Sequence, residues 1–153
     1  MSTKKSFLKF IFAIVFLIII FFLSSQAIRL YRPANIKMVT IAGQRIVVDV
    51  ALDDEGRQRG LGGRASIADD EGMLFVFDQP DKYSFWMKDM NFPIDIIWIG
   101  ENMQVVAVKK NALPELYPET YEPDQDAKYV LEVVASFAEK NNLKEGDKVE
   151  FGF

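Results

Sequence analysis

The sequence predicts an α+β domain on a mainly antiparallel, curled or barrel-like sheet of about eight strands with two short helices, preceded by one N-terminal transmembrane helix. Three observations carry this expectation. Short apolar, strand-like runs recur from residue 36 onward, mostly joined by short turn signals that favour antiparallel pairing. Helix signals inside that region are confined to two brief stretches. Residues 10–23, FIFAIVFLIIIFFL, are apolar without a break.

A helix over residues 7–25 would be about 28 Å long, near the hydrocarbon thickness of a bilayer. It has no polar face, unlike a helix on a globular core. Lys4, Lys5 and Lys9 place residues 1–6 in the cytoplasm, against the fewer Arg29 and Arg32. The expected partner of 7–25 is thus the lipid bilayer, and the expected location a single-pass cell membrane protein with its C-terminal domain extracytoplasmic. The rival reading is a signal peptide cleaved near Ala27, after Ser25-Gln26, giving a secreted protein. Residues 26–35 read as a linker stopped by Pro33, and 36–153 as the extracytoplasmic domain.

Within that domain, 36–42 and 45–52 read as a hairpin joined at Gly43-Gln44. Asp53-Asp54-Glu55 opens a short helix that Gly60, Gly62 and Gly63 end. MLFVF at 73–77 is a fully apolar strand, and Asp78-Gln79-Pro80-Asp81 a turn. Residues 83–87 and 94–99 form two strands, and Gly100-Glu101-Asn102 turns into a third at 103–110. Residues 111–126, with three prolines, read as a long loop of the kind that is often functional. A strand at 129–135, a helical turn at 136–142 with Ser136 as cap, and a strand at 148–151 complete the series.

Charge is divided unevenly. Residues 1–35 hold five basic residues and no acid, while 36–153 hold 13 basic and 22 acidic residues, a formal charge of −9. So acidic a domain repels phosphates, and no basic stripe with interleaved aromatics is present, so nucleic acid is not an expected partner. With no Cys and no His, the chain has no disulfide, no thiol nucleophile, no Cys/His zinc site and no His-based triad. Chemistry would fall to Asp, Glu, Lys, Arg, Tyr, Ser or Thr. No cofactor or metal is expected.

Four segments, RQRGLGGR, DDEGMLFVF, FWMKDMNFPIDIIWI and YVLEVVA…LKEGDKVEF, occur in this order over residues 57–151, within a likeness that covers about 38–151. In order and spacing they resemble the bacterial and archaeal family named domain of unknown function 192. The resemblance implies a domain that is commonly exported or membrane-anchored, with no established activity. The family typically has a bulky Met-Phe type pair where this chain has Gly62-Gly63, Asn-Thr where it has Asp89-Met90, and Gly where it has Ser136.

The candidate site centres on Asp95, a carboxylate in the apolar run IDIIWI. Alternation puts it on the face of Ile97 and Ile99, where a bare carboxylate must pair or take a proton. Arg59, Arg64 and Lys88 are its candidate partners, and a structural ion pair is the first expectation, a ligand the second. Trp86 is either a ligand platform or, by the first expectation, covered core like Phe85. Arg59, Arg64, Trp86, Lys88 and Asp95 together make the expected binding site. Asp89, Asp95 and Glu132 could converge as the paired acids of a glycosidase-like hydrolase. Met87 and Met90 could offer thioethers to copper, against the simpler role of core filler. Asp69-Asp70-Glu71 lacks a calcium-loop pattern and reads as a solvated turn. The expected function is a membrane-anchored binding or accessory module for a small ligand, envelope polymer or partner protein. The alternatives are the hydrolase and a purely structural envelope domain.

Overall fold

Short runs rich in apolar side chains from residue 38 onward build nine strands in the computed structural model, which describes residues 12, 14–21 and 33–153. Strand β1 (Met38–Ile41) turns at Ala42-Gly43, both with positive φ (48° and 74°), into β2 (Gln44–Ala51). Two such residues suit the two-residue hairpin turn whose twist matches the strands. Asp53 then starts α1 (Asp54–Arg59), accepting the Gly56 amide at 2.8 Å, and Gly60 ends it with φ 50°. The chain continues through β3 (Glu71–Asp81), β4 (Phe85–Trp86), β5 (Ile94–Ile99), β6 (Val105–Ala112), β7 (Thr120–Tyr121) and β8 (Ala127–Val134). Helix α2 (Phe137–Lys140) and β9 (Val149–Gly152) follow. Two 3₁₀ turns lie at Pro33–Asn35 and Pro114–Leu116.

Seven strands form one sheet in the order β6-β5-β8-β3-β2-β1-β9, and β4 and β7 form a separate ribbon. The sheet is mixed. Strand β2 runs parallel to β3, with Val47 opposite Glu71 and Ala51 opposite Phe75, and the other pairs are antiparallel. Parallel neighbours need a crossover, and the stretch from Leu52 to Asp70, which includes α1, supplies it. The two outer strands meet at one end through a bridge between Gln104 and Lys148 and a 2.9 Å bond from the Val105 amide to the Asp147 carbonyl. The result is a curled, half-barrel-like sheet.

Both faces are covered. Val39, Ile41, Ile46, Leu74, Ile97, Leu131 and Phe137 pack on one face. Leu61, Phe75, Phe85, Met87, Ile96, Trp98 and Val130 pack on the other. All six residues of β5 are therefore buried. Residues Ile36–Phe153 form one compact unit, and the residues before them another.

Several expectations need correction. There are nine strands, because residues expected to be loop contain β7, whose Tyr121 pairs with Phe85 of β4. Strand β3 runs past the expected turn at Asp78 to Asp81, which pairs with Ala127 after an irregularity. Helical segments number three, not two, among the described residues: residues 14–21, α1 and α2. The expected transmembrane helix over 7–25 is overturned, since no described helix is long and apolar enough to cross a membrane. The bilayer as partner, the single-pass membrane location and the membrane-anchored function lose their support with it. The remainder of 7–25, residues 1–6 and the cleavage site near Ala27 lie outside the described residues.

Candidate functional site

Strand alternation decides which acids can meet. Asp95 and Ile96 of β5 lie opposite Val133 and Glu132 of β8. Successive side chains leave a strand on opposite faces, so Asp95 falls on the Ile97 face and Glu132 on the Ile96 face. The two carboxylates do not converge, and the glycosidase-like pairing of Asp95 with Glu132 has no geometric basis.

Asp95 is completely buried and binds backbone rather than a basic side chain. Its Oδ1 accepts the amides of Asn111 at 2.8 Å and Ser136 at 3.3 Å, and its Oδ2 accepts the amide of Ala138 at 2.8 Å. The Ala138 and Ser136 bonds cap the N-terminus of α2, a task for which carboxylates are well suited, and the Asn111 bond ties the same carboxylate to β6. Ser136 makes no capping bond with its own side chain, contrary to the expectation, because its φ of 69° is not a capping conformation. Asp95 caps the helix from the neighbouring strand. The expected ion pair with Arg59, Arg64 or Lys88 is thus corrected. Asp95 needs none of them, since three N–H donors compensate a buried carboxylate.

On the other face, α1, β3, β4 and β8 enclose an open cavity of about 200 Å³. Its apolar wall holds Leu61, Phe75, Phe85 and Met90, with Phe75 and Phe85 edge to face at 4.8 Å. Tyr83 stacks on Phe77 at 3.5 Å, and the Trp98 indole holds the Tyr83 carbonyl at 2.9 Å. Strand β4 alternates, so Phe85 is buried while Trp86 is 47 % exposed and lines the cavity. Covered core is therefore the wrong expectation for Trp86.

Glu132 lines this cavity while only 4 % exposed, and its buried Oε2 has no hydrogen-bond partner. Burial pushes its carboxyl up to about 8 from the usual 4.5, and the Arg64 guanidinium pulls the other way. The group is mostly protonated at neutral pH and offers an O–H donor. Gly60 keeps the approach open: a Cβ there would lie 3.6 Å from Oε2 and 3.3 Å from the Phe75 ring, at a φ that favours glycine.

The cationic side chains divide. Arg57 is engaged, binding Asp54 at 2.7 Å and the Val76 carbonyl at 3.0 Å, and lying over the Phe77 ring. Arg64 pairs with Asp49 at 2.7 Å and does not line the cavity. Arg59 and Lys88 line the cavity, are exposed, and have no side-chain partner among the described residues. Their turns pack closely. A Cβ on Gly62 would lie 2.8 Å from the Arg59 carbonyl and 3.3 Å from that of Lys88, and the Gly63 amide donates to the Asp89 carbonyl at 2.8 Å.

Of the five expected site residues, the structure brings Arg59, Trp86 and Lys88 to one cavity. It leaves Arg64 in an outer pair and Asp95 on the far face. Glu132 was missed as the centre, although its signal, one acid inside the apolar run VLEVV, is the same as that of Asp95 in IDIIWI. No group of three acids able to hold a metal occurs among the described residues. Met87 is buried in the core, and Met90 lines the cavity.

No curated protein matches the chain. Two crystal structures are similar in fold. A protein of unknown function from Novosphingobium aromaticivorans is 30 % identical, with a TM-score of 0.71, over 78 % of this chain and 89 % of that one. A protein from Sinorhizobium meliloti, described as a "putative transcription regulator", is 27 % identical, with a TM-score of 0.69, over 74 % of this chain and 90 % of that one. Residues 37–151 match the DUF192 family of uncharacterized ACR proteins, and with a match over most of its length the chain belongs to that family.

Proposed function

We propose that this domain binds a small molecule in the cavity between α1, β3, β4 and β8. One observation carries the reading: Glu132, buried and without a hydrogen-bond partner, sits at an open cavity with an exposed Trp86. An unpaired buried polar group costs roughly 1–3 kcal/mol, a cost that a ligand acceptor would relieve. Apolar walls with a few convergent polar groups are typical of small-molecule sites. At about 200 Å³ the cavity is small. The ligand therefore falls below the size of those that fill clefts of roughly 300–1,000 Å³.

The description of the Sinorhizobium protein does not favour a DNA-binding role here, because residues 36–153 carry a formal charge of −9 and lack a basic stripe. Screening small fragments against the full chain by protein-observed NMR tests the proposal. Binders should shift the Trp86 indole and the Gly60 and Leu61 amides, and Trp86→Ala should weaken them. If no fragment at millimolar concentration moves these signals, the proposal is wrong.

A further inference from the structure

The charges around the cavity say more than that it is open. Asp54 and Arg57 cancel each other in a 2.7 Å pair, so neither is free for a ligand. Arg59 and Lys88 remain uncompensated at the mouth, on a domain that is otherwise strongly acidic. Glu132 has no cation beside it within hydrogen-bond distance, and a buried carboxyl without one keeps its proton and donates. The buried Phe85 and the half-exposed Trp86 also line the cavity.

We propose that the pocket selects a small organic monoanion. Its charged oxygens bind Arg59 and Lys88, its body lies against Phe85 and Trp86, and an uncharged oxygen accepts from the Glu132 carboxyl. This inference rests on reading the cavity as a binding pocket. A cationic ligand would meet Arg59 and Lys88 on entry, and Glu132 would have to release its proton to solvent before it could pair with it. A neutral one would leave the two cations unused.

Three probes of similar size separate these cases: 4-hydroxybenzoate, 4-hydroxybenzyl alcohol and tyramine. They are titrated into the full chain, with Trp86 fluorescence and calorimetry as readouts and Trp86→Phe to isolate the signal of that indole from Trp98. The carboxylate should bind about tenfold or more tighter than the alcohol, as expected for charge-assisted hydrogen bonds. The double variant Arg59→Gln, Lys88→Gln should remove that preference, and both positions are exposed, so folding should survive. Glu132→Gln keeps a donor and should retain binding, whereas Glu132→Leu should lose it. If the alcohol or tyramine binds as tightly as the carboxylate, the anion inference is overturned and the pocket reading stands. If none of the three binds, both fall.

Discussion

Two acids with the same sequence signal have opposite fates because of one residue's difference in strand parity. Asp95 meets three backbone amides and becomes a fixed part of the fold. Asp95→Asn would turn an amide NH₂ toward N–H donors and remove the charge. It should cost roughly 2–4 kcal/mol, since bonds to charged groups are worth about 1.5–3 kcal/mol each and orphaned amides add to the loss. Urea unfolding measures this, and probe affinity in the folded fraction should be unchanged.

Glu132 meets no donor, and its raised pKa links it to stability. In the unfolded chain its carboxyl loses its proton around the usual 4.5, but in the fold only around 8. Between these values the folded state holds the extra proton, so rising pH favours unfolding. The contribution is fully present below about 4.5 and is lost as pH climbs to about 8, by at most roughly 5 kcal/mol. Glu132→Gln should flatten this slope and raise the melting temperature at pH 8–9 relative to wild type. An unchanged slope would show that Glu132 does not carry it.

Elements were legible where local pattern decides them and illegible where partners do. The alternation of β2, the apolar runs of β5 and β8 and the Asp53 start of α1 can be read directly from the sequence. The two-residue strands β4 and β7 cannot, because each exists only by pairing with the other, 35 residues away in the chain. The parallel β2–β3 pair was hidden for a related reason. Counting short links favours antiparallel neighbours, while the stretch holding α1 returns the chain to start β3 beside β2 in the same direction. Helix α2 shows a third case: its cap comes from Asp95, 41 residues before the Ser136 that precedes it. Ser136 itself sits at φ 69°, where side chains other than Gly, Asn and Asp are strained. A glycine would adopt this conformation without that strain. Ser136→Gly should therefore stabilise the domain by up to about 1 kcal/mol, read as a higher urea midpoint at unchanged slope.

For the molecule as a whole, a sheet buried on both faces produces two different environments. One face is an apolar core into which Asp95 is locked. The other is closed by α1 and the β4–β7 ribbon, and that cover leaves the cavity that Glu132 lines. The sequence placed Arg59, Trp86 and Lys88 among the site candidates but put the wrong acid with them, since a single residue's face depends on pairing register that composition does not reveal. The described N-terminal helical residues supply no membrane span.

The proposed binding role depends on Glu132 being a proton donor that faces the cavity. The most direct test is an NMR pH titration of the side-chain carboxyl carbons of ¹³C-labelled glutamate in the full chain, with Glu132→Gln assigning the signal. A Glu132 midpoint near 8 is expected. A midpoint near the ordinary glutamate value of about 4.3 would contradict it, because the carboxyl would then be ionised and solvated at neutral pH.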